Sequence, residues 1–371
     1  MTDSTKASLA GLSPDTSPER ISALFRDAIE EHVKTFFEQQ RQDLTRVSPR
    51  TNDLIDAISA LSSGGKRLRP IFALWGALAA GGSPDDERLL TLGTSLELFQ
   101  AAALIHDDII DHSDTRRGQP AVHRKLEALH RDNGWNRSAS EFGIAGAILA
   151  GDIALALSET LFNRAEAGPT ARELFDEMRT QVMAGQYLDV LAEQTGSQLS
   201  PDEAAENSWT IVTYKAARYS AEKPTLLGAA LAGADQELLD GLSDFSLPAG
   251  QAFQLRDDEL GVFGDPAQTG KPAGDDIREG KRTLLIALTR QRINTEQQAW
   301  LESVLGRDDL DDATIEKVRE LIRDSGAAEE HASQIDALYN QAMNALDGLD
   351  IPAQAREGLR SVASAAVRRH A

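Results

Sequence analysis

Three aspartates, Asp107, Asp108 and Asp111, are grouped in the segment LIHDDIID. On a helix, Asp107 and Asp111 lie one turn apart on the same face, and Asp108 lies about 100° around from Asp107. Carboxylates this close repel one another unless cations share them. Hard oxygen ligands in a chain without cysteine favour Mg²⁺ or Mn²⁺, so the motif predicts such a site. Taken alone, it also fits a solvated acidic helix face.

A second acidic group, Asp257 and Asp258, ends the segment QAFQLRDD, where Gln254 shares a helical face with Asp257. A double aspartate approached through apolar residues therefore occurs twice, which predicts two facing half-sites around metal ions. Gln186 and Asp189 share one face of another predicted helix, in AGQYLD. They either belong to the same site or form part of a buried polar network.

Basic residues that suit phosphate groups follow two glycines in GGKRLRP, residues 64–70. Glycine permits close approach of the backbone, and the arginine fork matches phosphate oxygens. The spacing differs from that of a P-loop, and a solvated loop is the simpler alternative. Further cations lie at Arg116, Arg117, Lys215, Lys271, Lys281 and Arg282.

Carboxylates that bind metal and cations that bind phosphate together indicate a reaction at a diphosphate. A divalent ion neutralises the leaving group, while lysine and arginine hold its oxygens. The sequence offers no Ser/His/Asp or Cys/His arrangement that would compete as a nucleophile site. Its seven histidines show no His-x-x-x-His zinc spacing.

The composition limits which classes of partner and which cellular compartment we expect. A formal net charge of −21 argues against nucleic acid and against docking on an anionic membrane face. The absence of cysteine excludes disulfides and fits a reducing cytoplasm. Of the two longest apolar runs, Ile71–Ala80 is too short to span a bilayer and Gly143–Leu157 is interrupted by Asp152. We therefore expect a soluble cytoplasmic protein without membrane insertion.

Helix signals recur along the chain. Ser-Pro pairs at 17–18, 83–84 and 200–201 are typical helix starts, and Pro224 should kink or stop a helix. Longer helices are predicted at Ile144–Glu166, Thr170–Gln194 and Gln236–Val262. Loops are predicted at His130–Phe142 and Phe263–Gly280, and four shorter helices within Thr283–Ala371.

The domain organisation follows from these signals. Residues 1–20, rich in Ser, Thr, Asp and Pro, are predicted to be a disordered tail. Alternating strands joined by a hairpin dipeptide are not evident, nor is a linker after residue 20. We predict an all-α protein in which residues 21–371 form a single large helical domain.

These motifs, in this order, resemble the trans-isoprenyl diphosphate synthase (polyprenyl synthetase) family. The resemblance covers roughly residues 40–290 and is carried by GGKRLRP, LIHDDIID followed by Arg-Arg, GQYLD, a Tyr-Lys pair and FQLRDD. The most similar members are geranylgeranyl diphosphate synthases of the actinobacterial type. The resemblance implies the isoprenoid synthase fold with a central cavity, and Mg²⁺-dependent head-to-tail joining of isopentenyl diphosphate to an allylic diphosphate (dimethylallyl, geranyl or farnesyl).

The resemblance also implies roles for individual residues. Isopentenyl diphosphate would be held by Lys66, Arg69, His106 and Arg117. Magnesium would be ligated by Asp107, Asp111 and Asp257, supported by Asp108 and Asp258, with Gln186 and Asp189 beside the ions. The allylic substrate would contact Arg116, Lys215, Gln254 and Lys271, and Lys281 would close over it. The family resemblance and the long apolar helical surface, for instance around Leu89–Leu104, together suggest a homodimer, and the sequence does not show which face forms its interface.

Two positions depart from the family pattern. The second motif usually reads Asp-Asp-x-x-Asp, but its fifth position here is Gly261, which removes one carboxylate. Ala216 follows Lys215, where threonine is frequent, which removes a hydroxyl contact.

The residues below Asp107 bear on product length. Ala103 and Phe99 lie about 6 and 12 Å further down the helix, with Ala102 beside them. If the growing chain follows this face, the alanines leave room and Phe99 forms the floor. A geranylgeranyl product is therefore expected first, with a longer chain or farnesyl as alternatives. The alanines could instead serve close helix packing.

Other functions remain open at this point. A class I terpene cyclase also uses an aspartate-rich helix, but has no need of a GGKRLRP loop. Head-to-head synthases of the squalene or phytoene type share the helices and likewise give no reason for that loop. A non-catalytic partner subunit of a heteromeric synthase would lose acidic ligands; the complete first cluster opposes it, and Gly261 keeps it in consideration.

Overall fold

Helices form most of the regular structure in the computed structural model, which describes residues 9–13, 16–264, 274–307 and 309–368. One segment, Val212–Glu222, is π-helical, and the rest are mainly α-helical. The α-helices are α1 (Pro18–Val47), α2 (Asn52–Ser62), α3 (Leu68–Ala79), α4 (Glu87–Ile110), α5 (Val122–Asp132), α6 (Ala139–Arg164), α7 (Gly168–Thr195), α8 (Pro201–Ile211), α9 (Lys223–Leu231), α10 (Gln236–Phe263), α11 (Asp275–Glu279), α12 (Leu284–Arg292), α13 (Thr295–Val304), α14 (Asp312–Asp324), α15 (Ala327–Gly348) and α16 (Ala353–Val367). The all-α class predicted from the sequence is confirmed.

Short polar side chains start many of these helices by satisfying amide groups that have no partner within the helix. Ser17 accepts from the Arg20 amide at 3.4 Å before α1, and Ser200 and Glu203 form a capping box at α8. Pro224 lies in the first turn of α9, where the π-helix gives way to α-helix. The Ser-Pro signals at 17–18 and 200–201 therefore located helix starts correctly, because capping depends on local sequence. The pair at 83–84 did not, since α4 begins at Glu87 and is capped by Asp86.

The structure departs from the predicted boundaries in several places. The loop predicted at His130–Phe142 is confined to residues 133–138. Five helices, α12–α16, follow Thr283 where four were predicted. Helix α1 begins before residue 20, and Leu9 is buried; residues 1–8 and 14–15 of the predicted tail lie outside the described residues.

The hairpin between α4 and α5 was not predicted. Strand β1 (Thr115–Arg116) pairs antiparallel with β2 (Gln119–Pro120). Both turn residues have positive φ, 54° for Arg117 and 71° for Gly118. This is the backbone of the tight turns that match strand twist. Arginine is an unusual residue for that conformation, and each strand has only two residues, so periodicity carried no signal.

The chain divides into two compact units. The first comprises Met1–Ala171, Leu227–Ala234 and Ile351–Gly358, and the second comprises Arg172–Leu226, Asp235–Asp350 and Leu359–Ala371. In sequence, therefore, the chain leaves and rejoins each unit more than once.

Helix α4 is the central element of the first unit. Small residues bring it close to α6: the Ser95 hydroxyl donates to the Ser158 carbonyl, and the Ser158 hydroxyl to that of Ser95, each at 2.8 Å. Both serines are buried. The reciprocal bonds satisfy two hydroxyls that burial would otherwise penalise, and they fix the position of the helix that carries the first acidic cluster.

The apolar surface of α4 is packed inside this unit. Its most apolar window is 72% buried, and Leu89, Leu92, Leu96 and Leu98 have no exposed surface. The stretch Leu89–Leu104 is therefore packed mainly inside the chain, and the face that would form a dimer is not identified by it. Helix α6 differs, because only 33% of its apolar window is buried. By length and composition alone, both α4 and α6 could cross a membrane.

The core of the second unit surrounds α10. Leu255 on α10, Leu284 on α12 and Val318 on α14 belong to one buried apolar cluster and have no exposed surface. Gly250 allows α10 to approach the π-helix, since a Cβ there would lie 2.7 Å from the Ala217 carbonyl oxygen. The packing fixes α10, which carries the second acidic cluster.

Candidate active site

The first acidic cluster lies at the C-terminal end of α4. Asp111 is the C-cap residue, and its amide donates to the Asp107 carbonyl oxygen at 2.8 Å. Asp107 is partly exposed, whereas Asp108 is completely buried. The negative end of the helix dipole adds to the repulsion among these carboxylates. The position is therefore unfavourable for three acidic groups unless positive charge is supplied.

Arg116, on β1, supplies part of that charge. Its Nε donates to Asp108 Oδ1 at 2.7 Å, and its Nη2 lies 3.5 Å from Asp107 Oδ2. Burial raises the pKa of Asp108, the charges of Asp107 and Asp111 add to this effect and Arg116 opposes it, which gives a pKa of about 6. Asp108 Oδ2 is buried and accepts no hydrogen bond from the described part of the chain. Three carboxylates this close together, one of them completely buried, suit a divalent cation.

The GGKRLRP loop is held from within by its central arginine. Arg67 is 3% exposed and has a left-handed backbone with φ of 51°. Its guanidinium forms ion pairs with Glu97 on α4 and Glu30 on α1, and donates to the Ser62 carbonyl oxygen at 2.6 Å. Glu30 also accepts from the Gly64 amide at 3.1 Å. The loop is therefore fixed before any ligand binds, and Arg67 is a positioning residue that sequence reasoning missed.

Two further arginines, Arg69 and Arg117, lie near Arg67. The Arg117 guanidinium lies against Gly65, where a Cβ would be 3.2 Å from Nη1, and donates to the Leu61 carbonyl oxygen at 3.1 Å. Burial lowers the pKa of Arg117, and the nearby charges of Arg67 and Arg69 lower it further, while Glu97 opposes them. Like charges that depress one another form a site for an anion, and paired arginines suit a diphosphate.

His106 lies against α6. Its Nε2 is 3.4 Å from the Ile148 carbonyl oxygen and 3.6 Å from Asp152 Oδ1. A Cβ at Gly151 would lie 2.2 Å from Nε2, so the ring occupies space that only glycine leaves open. The hydrogen bond shown for His106 is therefore to α6, and its role with substrate stays a prediction.

The second acidic cluster lies on α10. Gln254 Nε2 donates to Asp258 Oδ1 at 2.7 Å, and Asp258 is 6% exposed. Burial raises the pKa of Asp258 well above its usual range, and the charges of Asp276 and Asp257 raise it further, against the Gln254 hydrogen bond. Asp276, on α11, was not identified from the sequence. Nothing in its local sequence marks it, since its place beside α10 depends on the fold.

Two lysines of the second unit surround Asp189. Lys215, on the π-helix, donates to Asp189, and Lys281 Nζ lies 3.6 Å from Asp189 Oδ2 and 2.9 Å from Glu193 Oε1. Burial raises the pKa of Asp189, but the two lysines outweigh it and the net pKa is lowered. In this structure Asp189 belongs to a buried network of ion pairs, and its place beside the metal ions stays a prediction. π-Helical segments often occur at functional sites.

The predicted residues thus fall into two groups, one in each unit. The first unit holds Lys66, Arg69, His106, Asp107, Asp108, Asp111, Arg116 and Arg117. The second unit holds Gln186, Asp189, Lys215, Gln254, Asp257, Asp258 and Lys281. Lys271 lies outside the described residues. No three His, Asp or Glu side chains among the described residues converge into a ready metal site. A magnesium ion would therefore need water and phosphate oxygens to complete its shell, as is usual for this ion.

Comparison with known proteins places this geometry in a family. The family model described as Polyprenyl synthetase matches residues 52–322. The crystal structure of geranylgeranyl pyrophosphate synthase from Corynebacterium glutamicum, complexed with isoprenyl diphosphate and magnesium, is 39% identical with a TM-score of 0.88, covering 93% of this chain and 99% of that one.

Curated relatives agree. The short chain isoprenyl diphosphate synthase of Methanothermobacter thermautotrophicus is 30% identical over 91% of this chain and 96% of its own length. The geranylfarnesyl diphosphate synthase of Aeropyrum pernix is 32% identical over 73% of this chain and 79% of its own. With the family model covering most of the chain, and with the acidic and basic groups of each unit in place, this protein belongs to the polyprenyl synthetase family and is a trans-prenyltransferase that elongates prenyl chains head to tail.

Proposed function

We propose that the chain is a Mg²⁺-dependent synthase that joins isopentenyl diphosphate to dimethylallyl, geranyl or farnesyl diphosphate, with geranylgeranyl diphosphate as its main product. The observation that carries the proposal is the pairing, within the first unit, of a crowded acidic cluster, in which Asp108 is completely buried, with a group of arginines around the GGKRLRP loop. Carboxylates that repel one another are stabilised by a metal ion, and arginines that repel one another are stabilised by an anion, so a metal diphosphate suits both groups. The similar C. glutamicum enzyme was crystallised with isoprenyl diphosphate and magnesium.

The donor set fits magnesium, with Mn²⁺ as a substitute. Asp107 and Asp111 would hold ions at the end of α4, and Asp257 would do so on α10, with Asp108 and Asp258 behind them. When bound, magnesium neutralises the negative charge that develops on the departing diphosphate. The buried Asp108 carboxyl tolerates its negative charge better with such an ion nearby.

The remaining chemistry belongs to the basic side chains. Lys66, Arg69 and Arg117 would hold the diphosphate of isopentenyl diphosphate against the preformed loop. Arg116, Lys215 and Lys281 now pair with aspartates and Glu193, and would exchange those partners for oxygens of the allylic diphosphate. Departure of that diphosphate breaks the allylic C–O bond, and the isopentenyl double bond attacks the resulting cation to form the new C–C bond. The proton lost from isopentenyl diphosphate goes to the released diphosphate.

Purified protein supplied with Mg²⁺, isopentenyl diphosphate and each allylic starter in turn tests this proposal. We expect chain extension with at least one starter and loss of activity with chelator, restored by Mg²⁺. No extension with any starter would overturn the synthase and favour a non-catalytic partner subunit. Cyclised hydrocarbon from a single allylic substrate would favour a class I terpene cyclase.

Product length is proposed to be set along α4 below Asp107. Phe99 and Ala102 are buried, and Ala103 is partly exposed. The names of similar proteins span geranylgeranyl and geranylfarnesyl products, so family membership alone leaves the length open. We expect Ala103→Phe to shorten the main product by at least one isoprene unit, because the ring occupies the space one turn below Asp107. Mass analysis of dephosphorylated products measures this, and an unchanged length would refute the role of this face.

We also propose a cytoplasmic homodimer that uses exposed apolar stripes outside the buried α4. On α6, Ile148 and Leu149 are 44% and 56% exposed, and on α7 Met183 and Tyr187 are 51% and 65% exposed. Exposed apolar and aromatic side chains in regular spacing are characteristic of protein interfaces. A second copy of the chain is the occupant expected in this family, and burial of the α6 stripe against it would also account for an apolar helix in a soluble protein.

A further inference from the structure

Arg282 directly follows Lys281, yet the side chains of these two cations have different partners. Lys281 Nζ lies 2.9 Å from Glu193 Oε1 and 3.6 Å from Asp189 Oδ2, both on α7. Arg282 instead donates to Glu302 Oε2, on α13, at 2.7 Å. Its side chain is only 13% exposed. Arg282 is thus a largely buried cation to which the proposed chemistry gives no role.

Glu302 is shared with a second arginine, Arg290, on α12. Arg290 is 6% exposed, and its Nε lies 3.2 Å from Glu302 Oε1. Its two terminal nitrogens donate to the carbonyl oxygens of Gly196 and Leu199, each at 2.9 Å. These two residues belong to the turn that directly follows α7. Glu302 therefore connects Arg282 to the end of α7, the helix that carries both carboxylate partners of the preceding lysine.

The stem and backbone of Arg282 are also held. A Cβ built on the buried Gly196 would lie 3.0 Å from Arg282 Cδ, so the aliphatic part of the side chain packs on the backbone after α7. The Arg282 carbonyl oxygen accepts from the Ser208 hydroxyl, on α8, at 2.8 Å. The Lys281 amide donates to the Asp276 carbonyl oxygen at 2.9 Å. The backbone of residues 281 and 282 is therefore fixed at both ends.

We propose that Arg282 is a positioning residue for the allylic diphosphate. Paired with Glu302, it fixes the backbone of Lys281, so that the lysine ammonium exchanges its carboxylates on α7 for a diphosphate oxygen while its Cα stays in place. This inference rests on the proposed function, in which Lys281 binds that diphosphate. A lysine side chain has many conformations, so the position of its Cα decides which oxygens the ammonium reaches. Small displacements of such a group weaken its contact strongly.

Two simpler explanations compete with this one. In the first, the ion pair of Arg282 serves only stability, and its loss lowers the amount of folded enzyme. That loss reduces kcat per mole of protein and leaves the KM values unchanged. In the second, Arg282 itself touches the substrate, so its removal weakens substrate binding whether or not Lys281 is present. A double-mutant cycle through Lys281 separates both explanations from a positioning role.

The test uses the full chain and five variants: Arg282→Met, Glu302→Gln, Lys281→Ala, the double variant Lys281→Ala with Arg282→Met, and the control Arg292→Met. Arg292 is exposed at the end of α12 and donates to the Leu288 carbonyl oxygen at 2.9 Å, so the control removes the same group elsewhere in this unit. Steady-state kinetics give kcat and the KM of each substrate. Equilibrium dialysis with Mg²⁺ and geranyl diphosphate, without isopentenyl diphosphate, gives a dissociation constant without chain extension.

We expect a selective effect on the allylic substrate. Arg282→Met should raise the KM and the dissociation constant of geranyl diphosphate about tenfold or more. The KM of isopentenyl diphosphate should stay within about twofold of the parent. Glu302→Gln should show the same selectivity from the other side of the ion pair. In the Lys281→Ala background, Arg282→Met should change the dissociation constant by less than about twofold. Arg292→Met should match the parent.

Each outcome decides between the explanations. A reduced kcat with unchanged KM and dissociation constant would overturn the inference and leave Arg282 a role in stability. An effect of Arg282→Met that persists in full beside Lys281→Ala would overturn it in favour of direct contact with substrate. In both cases, chain extension by the parent leaves the proposed function intact. A parent that binds no geranyl diphosphate and extends no starter would overturn the proposed function and this inference with it.

Folding of each variant is checked by circular dichroism and thermal melting. Glu302→Gln nearly preserves the side-chain shape, so it keeps the test decisive if Arg282→Met disturbs the fold.

Discussion

Asp108 is a buried carboxyl group with a pKa of about 6. Burial raises this pKa most, the charges of Asp107 and Asp111 also raise it, and the charge of Arg116 lowers it. The folded chain therefore binds this proton more tightly than the unfolded chain does. The free energy of unfolding falls as pH rises from about 4 to about 6, by roughly 3 kcal/mol for a shift of this size. The ligand-free enzyme carries this cost at neutral pH, and a bound divalent cation would offset it.

Replacing this group gives a pH-dependent prediction. Asp108→Asn removes a carboxyl group that carries an unfavourable negative charge at pH 8 and is protonated, and so uncharged, at pH 4. We expect the variant to unfold with a free energy about 1–3 kcal/mol higher than the parent at pH 8, with the difference disappearing near pH 4. Urea denaturation at both pH values measures it. A difference that is the same at both would show that Asp108 is not the group responsible.

Neighbouring cations in one loop have opposite roles. Arg67 is buried against Glu97 and Glu30, whereas Lys66 is exposed beside it. Removing the guanidinium would leave Glu97 buried without its partner, which is far more costly than losing a solvated lysine. Stability and activity should therefore separate at two adjacent positions.

Arg67→Ala and Lys66→Ala test that separation. We expect Arg67→Ala to lower the free energy of unfolding by about 3–5 kcal/mol, and Lys66→Ala to change it by less than about 0.5 kcal/mol. Lys66→Ala should instead raise the KM for isopentenyl diphosphate about tenfold or more, through loss of a contact to a charged group. Equal stability loss in both variants would contradict the assignment of Arg67 as the positioning residue.

At the scale of elements, close contacts between helices decide where the charged groups lie. Gly185 on α7 touches the π-helix at its backbone, since a Cβ there would lie 2.5 Å from the Lys215 amide nitrogen. Backbone atoms cannot move aside as the end of a flexible side chain can. Lys215 and Asp189, which pair across this contact, are therefore held by the glycine between the two helices.

Gly185→Ala should push α7 and the π-helix apart. We expect it to lower the free energy of unfolding by about 1–3 kcal/mol and to weaken binding of the allylic substrate, because Lys215 loses its position. Ala184→Ser, at the exposed neighbouring residue, is the matched control and should be close to the parent in both respects. Steady-state kinetics and urea denaturation measure the pair, and a neutral Gly185→Ala would refute the contact.

These elements also show what sequence could and could not establish. The limits of α10 were predicted to within one residue, because an Asp cap and helical periodicity are local signals. Asp107, Asp108 and Asp111 were located for the same reason. Asp276 could not be found, because its proximity to Gly261 exists only after α11 packs on α10. Arg67 and Lys66 could not be told apart, since burial within a loop depends on helices distant in sequence.

The whole molecule combines a large negative charge with exposed apolar stripes. Each chain carries a net charge of −21, so two copies repel at long range. The stripes on α6 and α7 are apolar, and their side chains carry no charge to oppose that repulsion. If these stripes form the homodimer interface, apolar burial must exceed charge repulsion between the subunits.

The dimer should therefore tighten as salt is added. Raising NaCl from about 20 mM to about 300 mM shortens the range of the repulsion while leaving apolar contacts nearly unchanged. We expect the dimer dissociation constant, measured by analytical ultracentrifugation, to fall with salt, and Leu149→Glu to give monomers at low salt that fold like the parent. Thr160→Glu, near the C-terminal end of the same helix, adds the same charge without removing an apolar side chain and should stay dimeric. A dissociation constant that rises with salt would indicate an interface held by ion pairs, contradicting the apolar stripes as the contact.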